Sequence, residues 1–156
     1  IRRRPRPFSQ ELAEMARHAV GYQSRAFVTF GEPIPLANVD PDSRRDLVTL
    51  VHRVHGDIAR LYKVLPTALV ATACRPQMAL TELRESLDAT VERLAAEGAN
   101  LAVRTGKQAM EEGVRLLEAR GVIVVDRQQV RIRNRIVLRY YRRTIQHLFT
   151  SPRTTR

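Results

Sequence analysis

The chain has 156 residues, 44% apolar and 28% charged, with one cysteine and a formal charge of +11 at pH 7. That length and apolar content suit one well-buried core, and a lone Cys74 excludes an internal disulfide and a cysteine-based metal site. The longest uncharged apolar run, Val64 to Cys74, falls well short of the ~20 residues that cross a bilayer as a helix.

In chain order, residues 1–7 alternate arginines with Pro5 and Pro7 and are expected to form an extended basic arm. Ser9 is positioned to cap a helix running to Tyr22, with Leu12, Met15, Ala16, Ala19 and Val20 on one stripe. Arg25 to Phe30 is aromatic and β-branched and predicts a strand, which Gly31, Pro33 and Pro35 bring to an abrupt, extended exit. Asp40-Pro41 has the pattern of an N-cap followed by proline in the first helical position. The helix it would start reaches Leu61, with Leu47, Leu50, Val51, Val54, Ile58 and Leu61 on one face. Pro66 restarts a short helix to Cys74 that has almost no polar side and is expected to be buried.

Leu80, Leu83, Leu87, Val91 and Leu94 mark the next helix, ending near Gly98. Thr105 is placed to cap another, with Met110, Val114 and Leu117 inward and Gly121 just past its end. Val122 to Val125 and Gln129 to Ile132 flank Asp126-Arg127 and predict a hairpin. Asn134 can cap a final helix to Phe149 carrying Val137, Leu138, Tyr141, Ile145 and Leu148, and a frayed tail follows. The expected fold class is mixed and mainly α, with one orphan strand and one hairpin near 122–132. The order helix, helix, hairpin over residues 80–132 resembles a winged helix. A basic winged-helix nucleic-acid-binding module is therefore the alternative function. The helix over 105–120 argues against that use: it sets Lys107, Arg115 and Arg120 against Glu111, Glu112 and Glu118, whereas a groove-entering helix is usually basic.

No residue pattern here builds a convincing active site. His52 and Asp57 stand in H-x-x-x-x-D spacing, but five residues of helix turn through about 500° and leave the two side chains about 140° apart. A solvent-exposed His is the plainer reading, for His55 as well. His18 and His147 have no acidic or Cys neighbour at ligand spacing. No serine has a nucleophile-elbow context, and Thr105-Gly106-Lys107 lacks a preceding glycine-rich loop. No catalytic residue, cofactor-binding residue or metal ligand is assigned, and no cofactor is implied.

The charge is unevenly placed. Residues 1–8 carry four arginines and no acid, and residues 127–156 carry nine arginines and no acid. Such ends suit an anionic partner. In the final helix, Arg135, Arg139, Arg142 and Arg143 are the candidates for contact with anionic lipid, with Tyr140 and Tyr141 at the interface.

Three blocks, taken together, resemble one family. "RAFVTFGEPIPL" is similar to the strand and exit that follow the catalytic core of glycerol-3-phosphate acyltransferases. "VLPTALVATAC" followed by "ALTELRESL" resembles their downstream helical region. "VLRYYRRTIQHLF" resembles their Y-Y-R-N-x-I-x-H pattern: Tyr140, Tyr141, Arg142, Ile145 and His147 fit, and Arg143 stands where Asn is usual. The family's catalytic H-x-x-x-x-D and F-P-E-G both precede its F-G-E-P. No F-P-E-G occurs in these residues, and His52 and Asp57 follow Phe30-Gly31-Glu32-Pro33 instead of preceding it. The resemblance therefore implies a carboxyl-side, non-catalytic segment of a longer enzyme. Residues 1–39 would end an α/β acyltransferase domain, whose sheet the orphan strand completes, and 40–156 would form a helical C-terminal region. The parent would transfer an acyl group from acyl-CoA or acyl carrier protein to glycerol 3-phosphate in phospholipid synthesis, as a peripheral protein at the cytoplasmic face of the cell membrane.

Overall fold

The computed structural model describes residues 26–149. The expected basic arm, the 9–22 helix with His18, and the tail from residue 150 lie outside them. The described chain is mainly helical. Its elements are α1 (Arg44–Leu61), α2 (Pro66–Ala73), β1 (Gln77–Ala79), α3 (Leu80–Ala96), α4 (Gly106–Ala119), β2 (Ile123–Asp126), β3 (Gln129–Ile132), α5 (Arg135–Thr144) and a 3-10 turn (Gln146–Leu148).

Local chemistry sets most of these boundaries. The Thr105 hydroxyl accepts from Gln108 N at 3.2 Å, and Gln108 Oε1 accepts in return from Arg104 N, much as in a capping box. Asn134 caps α5 by accepting from Val137 N at 3.1 Å. Pro66 occupies the first turn of α2, where its missing N–H leaves no bond unmade. Helices α3 and α4 end alike. Gly98 and Gly121 take φ of +74° and +64°, and the next residues, Ala99 and Val122, donate back to Leu94 and Leu117 at 2.9 Å. These are two Schellman closures, and a left-handed glycine makes each possible.

Helix α1 begins later than Asp40-Pro41 suggests. The Asp40 side chain accepts from Asp42 N and its carbonyl from Ser43 N, which folds 40–43 into a turn. Ser43 is the N-cap and accepts from Asp46 N at 3.3 Å. Helix α5 is shorter than expected. It closes at Thr144, and the chain continues as the 3-10 turn.

Three strands form one antiparallel sheet in the order β1-β3-β2. Met78 pairs with Val130, and Val125 with the same Val130 from the other side. The hairpin turn sits one residue later than expected, on Arg127 and Gln128, both left-handed with φ of 45° and 65°. Strand β1 was not foreseen. Its three residues are too few to show an alternating pattern, and it exists because β3 offers it a free edge. No strand forms over Ala26–Phe30, and Val28 and Phe30 stand 77% and 89% exposed.

Among the described residues the buried core is drawn entirely from Val64 to Ile145. Leu69 of α2, Leu83, Leu87 and Leu94 of α3, Leu117 of α4, Ile123 of β2 and Ile145 after α5 are its largest fully buried side chains. Each such residue contributes about 1.5–3 kcal/mol of transfer free energy. The apolar helix α2 is the centre, packed against α3, α4 and α5. Helix α4 comes so close that a Cβ at Gly113 would lie 2.6 Å from the Pro66 carbonyl oxygen, so only glycine fits that crossing.

Candidate functional site

Two surfaces remain after the core is accounted for. The first runs from Phe27 through Tyr62. Helix α1 buries no residue, although Leu47, Val51 and Ile58 share the face that the periodicity marks as apolar. Val51 is 50% exposed and Ile58 59%. Phe27, Val28, Phe30 and Leu36 add further exposed apolar area from the preceding segment. Of the large hydrophobic residues exposed in the described chain, only Val124, Ile136 and Tyr140 lie outside this stretch. Among the described residues α1 has no substantial packing contact with any other helix or strand.

A small polar junction attaches this stretch to the core. Asn100 Nδ2 donates to Leu61 O at 3.0 Å and reaches Thr29 Oγ1 at 3.5 Å, while Asn100 Oδ1 accepts from Lys63 Nζ at 2.8 Å. The Asn100 carbonyl also accepts from Val64 N, beside a parallel bridge between Val64 and Leu101. His147 Nε2 lies 3.2 Å from Ala59 O, and its ring meets Tyr62 edge-on. Gly31 passes against the Leu61 side chain. Asn100 carries no signal in the sequence, since an Asn after a helix end suggests no more than a turn.

The second surface is an open basin of about 480 Å³ between the end of α2 and α5, lined by Thr72, Arg139, Arg142, Arg143, Gln146 and Phe149. Three of the four arginines named as lipid-contact candidates meet there. Arg135, at the first position of α5, does not line it.

The His52–Asp57 pair is not assembled. Asp57 forms an ion pair with Arg60 one turn on, and His52 and His55 are exposed on α1. Among the described residues no group of three or more His, Cys, Asp or Glu side chains could hold a metal ion. No described helix is long and apolar enough to cross a membrane. The Y-Y-R-x-x-I-x-H residues are divided by role. Tyr141 Oη accepts from Arg120 Nη1 at 2.6 Å, Ile145 is in the core, His147 holds α1, Arg142 faces the basin, and Tyr140 is exposed. Cys74, half-buried at the end of α2, has its thiol pushed up to about 11 by burial; this favours the neutral form over the reactive thiolate.

Compared with known proteins, residues 11–154 match the family model described as the glycerol-3-phosphate acyltransferase C-terminal region. Neither a curated protein nor a solved structure matches the chain. With nearly the whole sequence covered by that one match, the chain belongs to the family of glycerol-3-phosphate acyltransferase C-terminal regions.

Proposed function

We propose that these residues are the non-catalytic supporting region of a glycerol-3-phosphate 1-O-acyltransferase of phospholipid synthesis. The parent enzyme moves an acyl group from acyl-CoA or acyl carrier protein to the 1-hydroxyl of glycerol 3-phosphate. This region docks onto its acyl-transferring domain through the apolar face of α1 and the segment 26–36, whose residues Ala26–Phe30 would complete a sheet edge. The observation that carries the reading is that face: an amphipathic helix buries no residue while a separate core forms behind it. Exposed large apolar side chains concentrated in one stretch of chain, as over residues 27–62, are a mark of an interface when they form a patch.

The non-catalytic role is supported by Asp57, which pairs with Arg60 and not with a histidine. Peripheral association with an anionic membrane at its cytoplasmic face is part of the proposal. It is supported by Arg135, Arg139, Arg142 and Arg143 on a stretch without acidic residues. The element order and the β1-β3-β2 sheet support a winged-helix-like shape for residues 66–132. They do not favour nucleic-acid binding, because on α4 Lys107 is paired with Glu111 and Glu112 and Glu118 add further negative charge.

The test is acyl transfer to glycerol 3-phosphate, measured for the complete acyltransferase and for this chain by itself. In the complete enzyme, Val51→Asp with Ile58→Asp is expected to lower activity about tenfold or more, because two carboxylates would be buried unpaired. His52→Ala is expected to stay within about twofold, since losing a general base costs on the order of 100-fold or more. Turnover by this chain alone that disappears with His52→Ala would overturn the proposal.

A further inference from the structure

We propose that α5 lies in the plane of an anionic bilayer with the side chains of Ile136 and Tyr140 inserted among the headgroups. The inference rests on the peripheral membrane association proposed above and deepens it, by naming the side of α5 that meets the lipid and the apolar side chains that enter it. Among the described residues, only three large exposed hydrophobic side chains lie outside the 27–62 stretch, and two of them are Ile136 and Tyr140, 84% and 67% exposed. They stand one turn apart on α5, which buries Leu138 on its other side. Successive helical residues turn through about 100°. That spacing places Arg139, Arg143, Ile136 and Tyr140, in that angular order, within an arc of about 100° facing away from Leu138. Arginines beside exposed apolar and aromatic side chains are the pattern of a helix at a membrane surface. The guanidinium groups meet headgroup phosphates, the isoleucine enters the acyl boundary, and the tyrosine keeps its hydroxyl in water.

Charge separates this side of the molecule from the apolar stretch around α1. From Ala26 to Lys63 there are five acidic and five basic residues, a mosaic that suits the mixed surface of another protein domain. From Arg127 to Phe149 there are seven arginines and no acidic residue. A field of one sign throughout fits a surface of the opposite sign throughout, and a bilayer with anionic headgroups presents one. Side chains as exposed as Ile136 stand out from the protein, and a fluid surface closes around them without a shaped groove. Two apolar side chains alone hold a membrane weakly, so the arginines supply the second attraction that stable association needs. Tyr140 is also held ready. Its ring meets that of Tyr141 edge-on with centroids 5.6 Å apart, and Tyr141 Oη accepts from Arg120 Nη1 at 2.6 Å. A side chain steadied in this way has less freedom to lose on insertion.

The chain contains no tryptophan, so Tyr140→Trp places a single fluorescent reporter on this side of α5, and Phe30→Trp places one on the apolar stretch before α1. Vesicles of phosphatidylcholine and phosphatidylglycerol should shift the Tyr140→Trp emission to the blue and open it to quenching by lipids brominated on the upper acyl chain. Phe30→Trp should show neither change. In co-sedimentation of the 156-residue chain with the same vesicles, Ile136→Ser should weaken binding about tenfold in low and in high salt, as expected for withdrawing one isoleucine from an apolar surrounding. Arg139→Gln should weaken it about fivefold in low salt and little in high salt, where charge is screened. Circular dichroism verifies that every variant keeps its helices. Vesicle binding without a shift or quenching at position 140 would overturn the insertion and leave the peripheral association standing, as attraction by charge alone. A shift at position 30 and none at position 140 would assign the lipid to the α1 side and overturn the insertion as well. No binding of the unaltered chain to these vesicles would overturn both the insertion and the membrane association on which it rests.

Discussion

Asn100 ties the segment before the core to the core. Its side chain and backbone meet Thr29, Leu61, Lys63 and Val64 at once, and no periodicity could have marked it, because its importance lies in which carbonyls happen to converge. His147 is the opposite case. Its place in the Y-Y-R-x-x-I-x-H pattern was legible, but its function of bonding near the end of α1 was not, since Ala59 is 88 residues away. The histidine–aspartate spacing in α1 was legible as a non-site because helical geometry alone separates the two side chains. At this scale Cys74 makes a prediction about pH. Its thiol is raised from 9.0 to about 11 by burial, so the folded chain holds the proton more tightly than the unfolded chain. The corresponding contribution to stability is complete below pH 9 and is lost as the pH climbs from 9 toward 11. Alkylation by iodoacetamide at pH 8.5 should therefore be about 100-fold slower in buffer than in denaturant, since two pKa units remove that much thiolate. Equal rates would show that the thiol is not desolvated.

Elements were legible where a cap or a closing glycine announces them. Thr105, Asn134, Gly98 and Gly121 all act as their residue types suggest. Boundaries shift from the expected positions where two local signals compete. Asp40-Pro41 and Ser43 can each open a helix, and the Asp40 side chain settles the matter by closing a turn on itself. The hairpin slipped by one residue for a related reason: Asp126 looks like a turn residue, yet it is the last residue of β2, paired with Gln129. Its turn is a two-residue connection with both φ positive, a geometry that favours Asn-Gly over Arg127-Gln128. Arg127→Asn with Gln128→Gly should raise stability by about 1 kcal/mol, because the new residues reach that backbone without strain. The check is a higher urea midpoint with an unchanged slope. A lower midpoint would mean that the turn side chains hold the hairpin by contacts that outweigh the backbone strain.

At the scale of the whole molecule, amphipathic spacing shows that a helix has an apolar face but says nothing about whether this chain covers it. The stripes of α3 and α4 and the apolar side of α5 meet around α2, and among the described residues all of the core lies between Val64 and Ile145. Among the described residues the stripe of α1, which has the same period, packs on no other helix or strand to a comparable extent: Leu50, Val54 and Leu61 are half-buried and none of its residues is fully buried. The three-block resemblance carried the family, whereas the division between a packed unit and an open face became visible only in the fold. The functional account depends on that division, because a face already covered within the chain could not receive another domain. Hydrogen exchange followed residue by residue on the 156-residue chain tests it most directly. Amides of α3, α4 and β3 should exchange only through global unfolding, while those of α1 should exchange through local opening at least about 100-fold faster, as expected for a helix without tertiary cover. Protection of α1 equal to that of α3 would contradict the account.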